Sequence, residues 1–88
     1  MKTVWKYDLY FSANAKITLP KDAQILSVQN RYDSLQLWAL VDTAALLETR
    51  TFTVFETGEL NENHGKHLAT VQIGGCVWHV FETTVGAS

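Results

Sequence analysis

Residues 35–41 read LQLWALV, an alternation in which every second side chain is small or aliphatic and the others vary. Leu35, Leu37, Ala39 and Val41 fall on one face of an extended strand, because successive side chains of a β-strand point to opposite faces. The pattern therefore predicts a strand with this face in the core and with Trp38 directed to the other side.

The same period of two recurs along the rest of the chain, in residues 3–11, 16–19, 23–32, 50–57, 67–73 and 76–83. Turn signals separate the segments: Asp33-Ser34 predicts a hairpin before residue 35, and Gly74-Gly75 predicts a second one. At most one short helical turn is expected, near residues 43–48. The sequence predicts an all-β fold, a small antiparallel β-sandwich or open barrel of six to seven strands.

Length and composition limit the class of protein. The 88 residues allow a single β domain, expected over residues 1–84 with a flexible tail at 85–88. Hydrophobic residues make up 47% of the chain and charged residues 18%, which excludes intrinsic disorder. No apolar run reaches the roughly 18–20 residues of a membrane span. The one cysteine, Cys76, excludes a disulfide scaffold and a four-cysteine zinc site.

The charge balance argues against nucleic acid as a partner. Seven Lys and Arg face nine Asp and Glu, for a net charge of −2. Proteins that bind DNA or RNA usually carry a basic surplus, because neutralising phosphates supplies most of the non-specific affinity. We expect neither DNA nor RNA to be the ligand.

Catalytic motifs are absent from the sequence. It contains no nucleophile elbow, no phosphate-binding loop and no closely spaced pair of catalytic carboxylates. Cys76 has no adjacent cation that would stabilise a thiolate. We expect a protein that is not an enzyme and that needs no cofactor.

The histidines give one weak metal pattern. His64 and His67, with Glu59 and Glu62 nearby, have a spacing that could hold a divalent cation, although it fits no established zinc motif. The segment is polar and contains Gly65, so an exposed loop is the preferred interpretation, and no metal site is expected.

Five residues are candidates for binding a ligand: Trp38, Arg50, Thr57, Trp78 and His79. The two tryptophans are predicted to alternate away from the core, where they need a second layer, a second subunit or a planar ligand to cover them. The guanidinium of Arg50 suits a phosphate or carboxylate, and a salt bridge with Asp42 or Glu48 is the simpler alternative. For His79, a histidine satisfied in the core and a donor lining a pocket remain open as alternatives.

Several segments together resemble a family of short bacteriophage proteins of unassigned function. They are residues 37–42 (LWALVD), 50–52 (RTF), 57–58 (TG) and 78–82 (WHVFE), joined by 5–7 (WKY), 19–21 (LPK) and 25–28 (ILSV). The resemblance implies a phage accessory protein acting in the cytoplasm of the host bacterium. It brings no catalytic residues with it.

Two functions follow as expectations. In the first, the protein binds and sequesters a small nucleotide-derived immune signal without catalysing a reaction, and so counters bacterial anti-phage defence. In the second, it inhibits a host defence enzyme by binding it as a protein partner. A structural role as a phage accessory protein is a third alternative. A domain this small with outward aromatic residues is also expected to form a homo-oligomer.

Overall fold

A computed structural model of the chain describes residues 1–61 and 65–83. These residues form seven β-strands and no helix, which confirms the all-β prediction. The strands are β1 (Lys2–Leu9), β2 (Ala15–Pro20), β3 (Gln24–Arg31), β4 (Ser34–Asp42), β5 (Leu47–Glu56), β6 (Lys66–Ile73) and β7 (Cys76–Glu82). Where a helical turn was allowed, Asp42 and Thr43 instead open a tight turn, and β5 begins at Leu47.

The strands form two antiparallel sheets that pack as a β-sandwich. The three-stranded sheet has the order β1-β4-β3, and the four-stranded sheet has the order β2-β5-β7-β6. Cα atoms of β3 and β6, each at an edge of its own sheet, approach within 8 Å of one another. Along that side the two sheets nearly close on each other.

Both predicted hairpins are present. Gly74 and Gly75 connect β6 to β7, and Gly74 adopts a positive φ of 61°, which glycine tolerates without steric cost. The turn between β3 and β4 consists of Tyr32 and Asp33, one residue earlier than the sequence suggested. Tyr32 has a φ of 57°, and Ser34 already pairs with Arg31 as the first residue of β4.

The core confirms the opening pattern of the sequence. Leu35, Leu37, Ala39 and Val41 are all buried. They belong to one hydrophobic cluster with residues of the four-stranded sheet, among them Phe52, Val54 and Val80. Strand β4 is central in its sheet, so its alternation decides which face of that sheet becomes the interior.

The predicted phase of β7 is wrong. Val80 pairs with Val54 and both are buried, so Trp78 and Val80 belong to the core-facing side of the strand. Val77, His79 and Phe81 consequently occupy the outer face. The sequence could not decide between the two phases, because both alternating sets are largely apolar.

Two expectations fall beyond the part of the chain that the structure describes: His64 of the candidate metal pair, and the flexible tail at residues 85–88. Within residues 1–61 and 65–83, no helix has the length and apolar character that crossing a membrane requires.

Candidate functional site

The structure distributes the five candidate residues over three surfaces. Thr57 and His79 lie together on the outer face of the four-stranded sheet. Trp78 is on the opposite side of the same strand, half-buried against the core and in edge contact with Phe11 at a centroid distance of 4.8 Å. Arg50 is also on this core-facing side, and Trp38 is on the outer face of the three-stranded sheet. The five residues therefore do not line one pocket.

Arg50 is held inside the fold. Its Nε and one terminal nitrogen each donate to the carboxylate of Glu82 at 2.6 Å, and its other terminal nitrogen donates to the carbonyl of Ala23, also at 2.6 Å. Glu82 hydrogen bonding raises the pKa of Arg50 further, against the opposing effect of burial. Arg50 does form a salt bridge, but with Glu82 rather than with Asp42 or Glu48. All three nitrogens of the guanidinium are therefore hydrogen-bonded within the fold.

Trp38 lies on the outer face of the three-stranded sheet, as its alternation predicted. It pairs with Lys6 on β1 and with Ser27 on β3, and it is half-buried. Leu40, two residues further along β4, shares this face.

A surface cleft of about 450 Å³ opens beside Leu40 at the end of the three-stranded sheet. Its lining combines two lysines, two aspartates and several uncharged residues: Lys2, Lys21, Asp22, Gln24, Leu40, Asp42, Ala45 and Leu46. The two ammonium groups are balanced by two carboxylates, and none of the five candidate residues lines the cleft. The cleft does not select a ligand charge.

The outer face of the four-stranded sheet carries a group of aromatic rings and hydroxyls that we call the aromatic face. Its members come from three neighbouring strands and the residue after β5: Phe55, Thr57, His67, Thr70, His79 and Phe81. Phe55 stacks on Phe81 at a centroid distance of 5.5 Å, and His79 lies 5.8 Å from Phe55. His67 makes an edge contact with Phe81 at 5.2 Å.

A chain of hydrogen bonds crosses this face. The Nε2 atom of His67 lies 3.0 Å from the hydroxyl of Thr70, and the same hydroxyl lies 3.2 Å from Nδ1 of His79. On the other side of the ring, Nε2 of His79 lies 2.7 Å from the hydroxyl of Thr57. Both nitrogens of His79 therefore have partners, and the ring is fixed in orientation.

The direction of donation along the chain follows from its far end. The hydroxyl of Thr57 lies 3.4 Å from the carbonyl of Val77, a group to which it can only donate. It must then accept from Nε2–H of His79, and in a neutral imidazole Nδ1 of His79 accepts from the hydroxyl of Thr70. Thr70 in turn accepts from Nε2–H of His67. For neutral imidazoles, this pattern corresponds to the Nε2–H tautomer of both histidines.

The aromatic face combines aromatic ring surfaces with polar groups on one side of the sheet. Its rings present π-faces, and its hydroxyls and imidazoles present donors and acceptors on a fixed sheet. None of its six members carries a formal charge when the imidazoles are neutral. Across residues 1–61 and 65–83, no three His, Cys, Asp or Glu side chains are grouped so that they could hold a metal ion.

The surroundings of Cys76, the only thiol, disfavour its thiolate form. It is half-buried at the start of β7, and a hydrogen bond to Glu56 raises the pKa of the thiol, with the negative charge of that carboxylate acting in the same direction. Both effects disfavour the thiolate, which is the reactive form.

Sequence reasoning identified Thr57 and His79 but missed their neighbours Phe55, His67, Thr70 and Phe81. One signal for Thr70 was present. A two-residue turn at Gly74-Gly75 pairs residue 73 with 76, and counting outward along the hairpin places Thr70 opposite His79. His67 was predicted to begin the strand at residues 67–73, although the candidate metal segment that contains it was interpreted as a loop. It lies within β6, next to a register shift between His67 and Ala69.

Comparison with known proteins gives one match. No curated protein and no solved structure matches the chain significantly. A model of a domain family, described as a domain of unknown function (DUF7352), matches residues 1–88. With a match over its whole length, this two-sheet β domain belongs to the DUF7352 family.

Proposed function

We propose that this domain is a non-enzymatic binding protein, and that its aromatic face binds the heterocyclic part of a small nucleotide-derived molecule. The observation that supports this most is the arrangement around His79. Its ring is held between two hydroxyls, at 2.7 and 3.2 Å, and adjoins the stacked pair of Phe55 and Phe81.

A nucleobase needs a π-face for stacking and fixed polar groups at its edge. Phe55 and Phe81 supply the first, and they are only half-buried, so part of each ring is open to a ligand. Thr70 and His67 supply the second, since both are exposed and both are already oriented by hydrogen bonds. Pre-ordered groups lose less conformational entropy on binding.

The phosphate part of such a ligand has no guanidinium on this face. Arg50, the residue that the sequence suggested for phosphate, is bound to Glu82 on the core-facing side. Recognition through the aromatic face thus depends on the ring system, and we expect ligands with different phosphate groups but the same base to bind with similar affinity.

The biological setting is part of the same proposal. The sequence resemblance to short bacteriophage proteins suggests a phage accessory protein in the host cytoplasm. There, binding without turnover would remove an immune signal and counter anti-phage defence.

Native mass spectrometry with matched variants tests the proposal. The protein is mixed with adenosine, ADP-ribose and a cyclic dinucleotide, and separately with small-molecule extract from phage-challenged bacteria. Phe55→Thr removes a ring but keeps a residue favourable in strands. Trp38→Thr, on the other sheet, is the matched control. Since stacking contributes about 1–3 kcal/mol per base, we expect Phe55→Thr to weaken binding roughly 5- to 150-fold.

The result with the control decides the location. Binding that survives Phe55→Thr but is lost in Trp38→Thr would place the ligand on the three-stranded sheet and contradict the proposal. Binding of none of the probes, and no added mass from the extract, would contradict the small-molecule function.

A second candidate function is inhibition of a host defence enzyme through direct protein binding. One observation favours it: the aromatic face lies on a sheet surface and contains no Lys, Arg, Asp or Glu, as in the centre of many protein interfaces. In this case Phe55→Thr should abolish capture of a host protein while no small-molecule mass is added to the wild type.

A further inference from the structure

Strand β1 leaves one of its edges open. It pairs with β4 along its whole length, from Lys2 opposite Asp42 to Leu9 opposite Leu35. Its other edge has no partner strand among residues 1–61 and 65–83. Every residue from Lys2 to Lys6 is exposed. The backbone groups along this edge are therefore free to pair with another strand.

Trp5 is the unusual residue of this strand. It pairs with Ala39, which is completely buried, so its side chain points to the core-facing side of the sheet. Nevertheless 42% of Trp5 is exposed. A large aromatic ring on the interior side of a sheet is thus left uncovered by the opposing sheet.

This edge lacks most of the features by which proteins prevent edge strands from pairing with other chains. Strand β1 contains no proline, and its register with β4 runs without a bulge over eight residues. Lys2 and Lys6 do resemble the charges that natural proteins use to block edge pairing. Asp8 on the same strand carries the opposite charge. Its position relative to Lys2 and Lys6 determines in which register two copies of β1 could pair without placing lysines opposite each other.

We propose that two copies of this chain pair antiparallel through β1, around a twofold axis at Trp5. In this register Lys2 of each copy lies opposite Asp8 of the other, and Thr3 lies opposite Tyr7. The two Trp5 rings meet at the axis. Each pair joins residues of the same sheet face, as direct opposition in an antiparallel ladder requires.

Neighbouring registers are electrostatically unfavourable. A shift of the axis to Val4 places Lys2 opposite Lys6 twice, and a shift to Lys6 places two Lys6 side chains opposite each other. Like charges directly opposite destabilise a sheet, whereas opposite charges and aromatic pairs stabilise it. Of these three registers only the one centred on Trp5 pairs Lys2 with an acidic residue.

The pairing would join the two three-stranded sheets into one sheet of six strands and would cover Trp5. The aromatic face is on the other sheet of each copy and would remain free. The proposal is independent of the proposed function, since it requires no ligand and uses none of the six residues of the aromatic face.

Charge reversal at the two ends of the strand tests the register. Lys2→Asp and Asp8→Lys each place like charges opposite one another in a homodimer. Sedimentation velocity should show the dimer dissociation constant rising by at least about tenfold in each variant, as two repulsive pairs replace two attractive ones. Circular dichroism and urea unfolding of both variants establish that they are folded.

Mixing the two variants tests the proposed register most directly. In a mixed dimer, the acidic residue introduced at position 2 of one chain faces the basic residue introduced at position 8 of the other. Both charge pairs are then attractive. We expect the equimolar mixture to regain dimer at the wild-type level, and as a heterodimer in native mass spectrometry. A mixture that stays as monomeric as its components would overturn the register.

Cross-linking locates the axis. In a Cys76→Ser background, Trp5→Cys places the two thiols directly opposite each other, with Cα atoms about 4.5–5.5 Å apart, which a disulfide can span. Val4→Cys places them about 8 Å apart, beyond disulfide reach. Rapid disulfide dimerisation of the first variant alone is the expected result. Equal cross-linking of both, or a wild-type protein that is monomeric up to millimolar concentration, would refute the proposal.

Discussion

Arg50 and Glu82 meet in two parallel hydrogen bonds of 2.6 Å, although 32 residues separate them in the sequence. The pair lies on the core-facing side of the four-stranded sheet, with side-chain exposures of only 18% and 8%. Its third contact, from Arg50 to the carbonyl of Ala23, reaches the segment that leads into β3. The pair thus joins β5 to β7 and fixes the start of the other sheet.

Removing one member of this pair should destabilise the fold. Arg50→Met leaves Glu82 buried without its counterion, and we expect the free energy of unfolding to fall by about 2–4 kcal/mol, slightly less than for a fully buried pair. Arg50→Lys should recover only part of this, because an ammonium cannot form the two parallel bonds. Urea denaturation gives both values. A loss below about 0.5 kcal/mol for Arg50→Met would mean that the pair contributes little.

The neutral ring of His79 should be observed as its Nε2–H tautomer. The hydroxyl of Thr57 donates to Val77 and therefore accepts from His79. Long-range ¹H–¹⁵N correlation spectra at pH 8 distinguish the two tautomers directly. In Thr57→Val the acceptor for Nε2–H is lost, and we expect the Nδ1–H form to become populated. Observation of Nδ1–H in the wild-type protein would contradict the assigned direction of the chain.

Asp42 should make stability depend on pH in the acid range. Hydrogen bonding from the backbone N–H of Ala44, together with the N-terminal amine, lowers the pKa of this carboxyl below its ordinary value of 3.8. A lowered folded-state pKa adds stability at neutral pH that is lost as the pH falls through it. The wild type should thus exceed Asp42→Asn in unfolding free energy at pH 7, and the difference should shrink below about pH 4.

Asp33→Asn is the control for this comparison, because it makes the same chemical change in the turn between β3 and β4. A constant difference between the wild type and Asp42→Asn from pH 7 to pH 2.5 would show that the carboxyl charge is not responsible.

The thiol of Cys76 should react slowly with alkylating reagents because of Glu56, and substitution of Glu56 should remove this effect. Glu56 raises the pKa of this thiol through a hydrogen bond and through its charge. Glu56→Gln should lower that pKa, increase the thiolate fraction at pH 8 and accelerate alkylation by iodoacetamide. The two proteins should react at the same rate when unfolded in urea. Identical rates in the folded state would exclude Glu56 as the cause.

The fold was largely readable from the sequence, and β4 shows why. Leu35, Leu37, Ala39 and Val41 form one alternating set without a polar residue, whereas Gln36 belongs to the other set, so the first set was predicted to face the core. Strand β7 shows the limit. Both of its alternating sets contain large apolar residues: Trp78 and Val80 in one, Val77 and Phe81 in the other. Only the pairing with β5 determines which set faces the core.

The site was less readable because it depends on register between distant strands. Thr57 and His79 are 22 residues apart, and their contact follows from the pairing of β5 with β7. The opposition of Phe52 to Glu82 likewise brings Arg50 within reach of its carboxylate. When the strand register is unknown, the sequence cannot distinguish an arginine that is free to bind phosphate from one that is paired with a buried carboxylate.

A titration followed by ¹H–¹⁵N correlation spectra tests the central claim, that the aromatic face is the binding surface. Adenosine and ADP-ribose serve as probes, with the ligand-induced shift of every amide mapped on the two sheets. We predict that the largest shifts fall on Thr57, Thr70, His79 and Phe81. Shifts concentrated instead on Lys2, Leu40 and Leu46 around the cleft, or no shifts with either probe at millimolar concentration, would contradict the claim.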